Sequence, residues 1–319
     1  MIRTNGLTKR YGTVAAVTGM NLEVRAGEIY GFLGPNGAGK TTTISMLLGT
    51  VLPSSGGMEL FGEPYTSRRL DLRSRIGVVP EHHPLGAWRW MTARDYLGFF
   101  AELYAVRNEA ARIEALLERV ELAHAARRKI SAFSRGMLQK LSFARALLHD
   151  PELLLLDEPI SGLDPLGIKQ VRDLILEQHR AGKTVLISSH QLSEMERLCT
   201  RVGIISRGEL VAQGTLASLF ASLREEVEIH VELESVGKDL VRKAGELPFV
   251  RSVASEGSLL ILRVAKDRDY RKDVGAFLLR RGTPPLGMRE RTPSLEEAFV
   301  TITQETVESL ASLGTGGTP

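Results

Sequence analysis

Gly34-Pro35-Asn36-Gly37-Ala38-Gly39-Lys40-Thr41 lies between an apolar run, Ile29-Tyr30-Gly31-Phe32-Leu33, and a stretch over 42–48 with helical character. The eight residues satisfy the pattern GxxxxGK[ST] without a mismatch, and a strand before it and a helix after it is the context that gives the pattern meaning. Glycines let the backbone curl so that successive N–H groups converge on a small volume at a helix start, where the helix dipole favours negative charge. Lys40 adds a point charge there, and the Thr41 hydroxyl can ligate Mg²⁺. The segment therefore predicts a phosphate-binding turn in an α/β layer fold.

A second apolar run, Leu153-Leu154-Leu155-Leu156, ends in Asp157-Glu158-Pro159. Continuous apolar character predicts a strand buried on both faces of a parallel sheet. Ligands in such sheets bind at the carboxyl ends of the strands, which is where the two acids stand. Asp157 is thus a candidate Mg²⁺ holder, and Glu158 a candidate for polarising an attacking water. Further motifs follow in order: Phe133-Ser134-Arg135-Gly136-Met137, then Ser161-Gly162-Leu163-Asp164, then Ser188-Ser189-His190 at the end of a predicted strand.

This ordered set resembles the nucleotide-binding subunit of ABC transporters over residues 2–214. The resemblance implies an ABC ATPase core of the P-loop NTPase fold with an inserted helical subdomain, using ATP and Mg²⁺. It implies that Gly34, Pro35, Asn36, Gly37, Ala38, Gly39, Lys40, Thr41 and Thr42 surround the phosphates and that Tyr11 stacks on adenine. Thr41, Glu81 and Asp157 would hold the metal, while Glu158 and His190 would be catalytic. Ser134, Arg135 and Gly136 stand in the signature position and would reach nucleotide across a head-to-tail dimer of two copies; Asp164, which ends the D-loop, is also implied at the nucleotide. ATP would hold the copies together and hydrolysis would release them.

Two positions depart from the family pattern. Arg135 replaces the first glycine of the signature and Met137 its glutamine, while Ser134 and Gly136 keep the hydroxyl and the close backbone approach. Glu81 stands where many relatives carry glutamine, and a carboxylate ligates Mg²⁺ with more charge than an amide. Such forms are familiar in the subfamily that works with ABC-2-type membrane permeases, so the resemblance implies a separate permease of that type and, with it, export.

Outside the motifs, strands are predicted over 27–33, 75–79, 153–157 and 183–188. Between 92 and 128, apolar residues at 97, 100, 103, 113, 116, 117 and 120 have helical spacing and predict the helical subdomain, taken as about 92–150. The pattern changes near Gly214. The ATP-binding domain is therefore expected over 1–215, a small α+β accessory domain of βαββαβ ferredoxin-like order over 216–305, and a flexible tail over 306–319. Ser294 and Glu297 have capping-box spacing in the last helical stretch. The Glu81 to Trp90 segment carries both tryptophans, Trp88 and Trp90, and two readings stay open for them: core packing, or exposed anchors for the permease.

Composition limits the rest. At 319 residues with 43% hydrophobic and 25% charged residues, the chain is long enough for two domains and average for a globular one. The net charge of +3 divides into 27 basic against 22 acidic residues up to Thr215 and 14 against 16 beyond, with no run of about five or more basic residues, so no nucleic-acid partner is expected. One cysteine, Cys199, excludes an internal disulfide and suits a reducing compartment. His82 and His83 are adjacent and cannot share a face as a metal pair. No apolar run approaches the ~18 residues of a membrane span, and the start lacks a secretory signal, so the expected place is the cytoplasmic face of the inner membrane, held through the permease. A soluble ABC ATPase acting on nucleic acid or ribosomes is the alternative class. It is disfavoured because only one motif set is present and Lys40 lies only 94 residues before Ser134, which leaves no room for a long coiled coil. A non-hydrolysing regulatory subunit is disfavoured because Lys40, Asp157, Glu158 and His190 are all present.

Overall fold

The structure is a computed structural model that describes residues 1–81, 88–222, 226–291, 295–297 and 299–300. His82, His83, the 84–87 stretch, Ser294 of the capping-box reading and the 306–319 tail lie outside the described residues. The chain divides into two compact units, with Met1–Leu216 in the first and Ala217–Glu305 as the second.

The first unit begins with β1 (Ile2–Tyr11), β2 (Val14–Met20), β3 (Glu23–Val24), β4 (Ile29–Leu33), α1 (Lys40–Leu47), β5 (Ser55–Leu60), β6 (Glu63–Pro64), α2 (Leu70–Arg73) and β7 (Ile76–Val79). A helical stretch follows, with α3 (Ala93–Leu103), α4 (Glu109–Arg119) and α5 (Arg135–Ala146). The unit closes with β8 (Leu153–Asp157), α6 (Pro165–Arg180), β9 (Thr184–Ser189), α7 (Leu192–Leu198), β10 (Arg201–Ser206) and β11 (Glu209–Thr215).

A six-stranded sheet in the order β11-β10-β4-β9-β8-β7 forms the centre, parallel throughout except for the β10–β11 edge pair. Every residue of β4 and of β8 is buried, as two-sided coverage requires of a central parallel strand. Because β4, β9, β8 and β7 run the same way, the turns after Leu33, Ser189, Asp157 and Val79 all emerge at one end of the sheet. Topology alone thus gathers the glycine-rich turn, His190, Glu158 and Glu81.

A second, antiparallel sheet joins β1, β2, β3, β5 and β6 and was not foreseen in the sequence. Its Ile2, Leu7, Val17 and Leu60 share one core with Ile44, Met46 and Leu47 of α1 and with Tyr30, Phe32, Leu153, Leu155 and Leu186 of the central sheet. The helix that starts at Lys40 is thereby clamped between two sheets. Strand starts also differ from expectation: β4 begins at Ile29 rather than at 27 because Gly27, with φ of 70°, turns the chain first, and the predicted 183–188 strand is shifted to Thr184–Ser189.

Thr92 caps α3 by a reciprocal box with Asp95, and Ser134 caps α5 by accepting from the Met137 N–H at 3.3 Å. Asp164 caps α6, accepting from the Gly167 N–H at 2.9 Å, with Pro165 in the first turn.

The second unit carries α8 (Leu216–Ser222), shared with the boundary, then β12 (Glu226–Glu232), α9 (Lys238–Gly245), β13 (Val250–Glu256), β14 (Leu259–Ala265), α10 (Arg271–Arg280) and β15 (Gly287–Arg291). Its four strands form an antiparallel sheet in the order β13-β14-β12-β15. It has a core of its own, in which Ile229, Val231, Leu260 and Leu262 meet Leu240 of α9 and Val274 and Leu278 of α10.

Candidate active site

The glycine-rich turn ends at Gly39, whose φ of 108° only glycine adopts without strain, and α1 starts there with no side-chain cap. Its first N–H groups are left for a ligand, and a phosphate matches them in charge and in acceptors. The turn opens onto a cleft of about 600 Å³. Pro35, Asn36, Gly37, Gly39, Lys40, Thr41 and Thr42 line one side, joined by Ala16, Glu81, Glu158, Ser161 and His190.

Inside the cleft the charged groups form a chain. Lys40 Nζ donates to the Gly34 carbonyl at 2.7 Å and to the Pro35 carbonyl at 3.3 Å, and it stands 3.3 Å from Glu158 Oε1. Both side chains are only 6% exposed, so this ion pair is little screened by water. Glu158 Oε2 lies 2.9 Å from His190 Nδ1, whose ring is half exposed to the cleft. Glu158 Oε1 is buried and makes no hydrogen bond among the described residues, so it keeps acceptor capacity for a water.

Glu158 is held by its backbone as much as by its partners. Its φ is 47°, a left-handed conformation uncommon for a residue other than glycine and one that recurs at functional sites. Its N–H donates to both the backbone carbonyl (3.2 Å) and the hydroxyl (3.0 Å) of Ser188, and its carbonyl accepts from the Ser161 N–H at 3.1 Å. The Ser188 hydroxyl in turn donates to Asp157 Oδ1 at 2.5 Å. Asp157 and Ser188 are register partners on β8 and β9, so one hydroxyl fixes both acids. Ser188 and Ser161 were not among the expected site residues. The signal for Ser188 was a polar side chain at the end of an otherwise apolar strand.

Asp157 is 4% exposed and stands behind the cleft wall. Gly34 and Ala38 are buried in the turn itself. Tyr11 is 50% exposed at the end of β1, with Lys9 Nζ 4.9 Å from its ring centroid, and does not line the cleft. Ser134, Arg135, Gly136 and Asp164 are likewise outside this cleft, gathered where the start of α5 meets the start of α6.

A family profile described as ABC transporter matches residues 17–161. Over 95% of its length the chain is 39% identical to the bacitracin transport ATP-binding protein BcrA of Bacillus licheniformis, covering 97% of that protein. The chain belongs to the ABC transporter ATP-binding family. A second relative is the Nod factor export ATP-binding protein I of Burkholderia orbicola, 38% identical over 92% of this chain and 94% of that one. A third is the linearmycin resistance ATP-binding protein LnrL of Bacillus subtilis, 32% identical over 96% and 99%. Among solved structures, an ATP-binding subunit of an ABC transporter superposes with a TM-score of 0.64 at 29% identity, covering 70% of this chain and 92% of its own. As a member of this ABC family the chain is an ATPase, the ATP-hydrolysing subunit of a transporter. No helix among the described residues is long and apolar enough to cross a membrane.

Proposed function

We propose that this ATPase powers export through a separate membrane permease of the ABC-2 type, acting from the cytoplasmic face as a head-to-tail dimer. The observation that carries the export reading is the span of the likeness. Three relatives, named for bacitracin transport, Nod factor export and linearmycin resistance, align along more than nine-tenths of this chain, well past the ATPase unit that ends at Leu216. The dimer reading is supported by the cleft. It contains the turn, Glu158 and His190 but leaves Ser134, Gly136 and Asp164 outside, where they can meet the site of a second copy.

In this reading ATP phosphates take the α1 N–H groups and Lys40, and Tyr11 meets the adenine. Glu158 draws the proton of the attacking water, and His190, held by Glu158, orients that water toward the γ-phosphate. Mg²⁺ is the metal that fits, since the Thr41 hydroxyl, the Glu81 carboxylate and, behind them, Asp157 are hard oxygen donors too few to cage an ion alone, which suits one carried in with phosphates. When bound it supplies positive charge to the phosphoryl oxygens. Copurification from membranes, with identification of the bound protein, tests the proposal. A six-span integral membrane protein is the expected companion, and recovery with ribosomes or nucleic acid alone would sink it.

A further inference from the structure

Arg135, the departure from the family signature, has a guanidinium that rests on Gly162 of its own chain. A Cβ placed on Gly162 would lie 2.8 Å from Arg135 Nη2 and closer still to Cζ and Nη1. Gly162 also has φ of 67°, so the turn needs glycine for its bend, and any added Cβ would have to displace the guanidinium. The turn is anchored on both sides of this point. Before it, the Ser161 N–H donates to the Glu158 carbonyl; after it, Asp164 is fixed as the cap of α6. Ser161 is also a wall of the cleft. The Leu163 N–H also reaches the Ile160 carbonyl at 3.4 Å, and Arg135 covers Gly162 between these anchors.

We infer that Arg135 is a positioning residue for the cleft of its own chain: its planar guanidinium holds the Ser161–Gly162 turn, and through it the Glu158 carbonyl and the cleft wall, in place. The inference rests on the dimer reading for one consequence. The start of α5 serves the partner's cleft, while the turn it holds serves its own, so Arg135 ties the two sites of a dimer together. A lysine keeps the charge but not the flat surface, so Arg135→Lys should fail to replace it.

The test uses full-length variants and steady-state ATP hydrolysis. Arg135→Ala should lower kcat roughly ten-fold with little change in KM, the signature of misplaced groups rather than lost binding, and Arg135→Lys should match it; recovery of the parent kcat by lysine would overturn the inference. Gly162→Ala pushes only the flexible end of Arg135 aside, though at a strained φ, so the same contact can be broken from its other side. The double variant should be no slower than the slower single one, whereas independent, multiplying losses would overturn the inference. Mixed dimers give the second arm. Lys40→Ala with Ser134→Arg should regain activity, because one site of the heterodimer is intact if Ser134 acts across the dimer. Lys40→Ala with Arg135→Ala should stay at the average of the two parents, since each cleft then carries a lesion of its own chain; a gain beyond that average would overturn the inference. If the Ser134 mixture also stays inactive, Ser134 acts within its own chain or the two sites are strictly coupled, and the double-variant comparison alone decides the role of Arg135.

Discussion

Glu158 combines three features that a solvated acid after a strand lacks: burial, a left-handed backbone and two cationic or ionisable neighbours. Removing its charge with little change of shape isolates the chemistry from the fold. Glu158→Gln should keep nucleotide binding and lose at least about a hundred-fold in kcat, the lower range for a positioned general base; hydrolysis at the parent rate would remove Glu158 from the mechanism. At this scale the sequence was most informative where one motif supplies several atoms of one site. The turn from Pro35 to Thr42 was legible because its pattern is local. The Ser188 hydroxyl was not, because its work depends on the register of β9 against β8, a pairing 31 residues apart in sequence.

Among elements, the segment leading into α3 resolves the two tryptophans differently. Trp88 is partly buried, with its ring 4.9 Å from Phe99 and about 6 Å from Tyr96 and Phe100, whereas Trp90 is 69% exposed. Trp88→Ala should therefore lower stability by roughly 2 to 4 kcal/mol, near the lower end for a large aromatic truncation. Trp90→Ala should leave the melting temperature almost unchanged and weaken capture of the permease in a pull-down. A large drop in melting temperature for Trp90→Ala would contradict the assignment. The sheet of the second unit holds another pairing with a measurable sign. Glu228 on β12 faces Arg263 on β14 and Arg291 on β15 as direct register partners, with His230 two residues along the same strand. Burial pushes its carboxyl upward, but the bonds from His230, Arg263 and Arg291 outweigh that and hold it down, at about 2 against an ordinary 4.5. A depressed carboxyl stabilises the fold above its unfolded value and loses that contribution as pH falls toward the folded one. Glu228→Gln should thus cost roughly 1 to 3 kcal/mol at neutral pH, and the gap to the parent should shrink between pH 4.5 and 2; a gap independent of pH would count against the pairing. The βαββαβ order of this unit was legible because its elements are short and several are separated by a glycine, such as Gly257 between β13 and β14 and Gly282 after α10. The antiparallel sheet of the first unit escaped because β1 alternates polar and apolar residues only in part, is broken by irregular register, and finds its partner β5 more than 40 residues away.

For the whole molecule, two units with two separate cores imply two cooperative transitions rather than one. Only the first unit contains the cleft, so nucleotide should stabilise that unit alone, by about 2.7 kcal/mol at a hundred times Kd. Calorimetry in the presence of Mg²⁺ and ADP should raise one transition and leave the other in place. A single transition that moves as a whole would show that the units unfold together. Acid should also reach the second unit, through Glu228, whereas nucleotide should not.

The ion pair between Lys40 and Glu158 has a thermodynamic consequence for affinity. Lys40 is satisfied within the protein by two carbonyls and a carboxylate, so the chain carries an internal competitor for the very cation its ligand needs. Each phosphate that arrives must displace that competitor, and part of its attraction to Lys40 is spent on the exchange. Neutralising the competitor should therefore tighten binding even of a nucleotide that cannot be hydrolysed. Isothermal titration with ADP is the direct measure: Glu158→Gln should bind it more tightly than the parent, and an equal or weaker affinity would mean that Lys40 gives up the carboxylate at no cost.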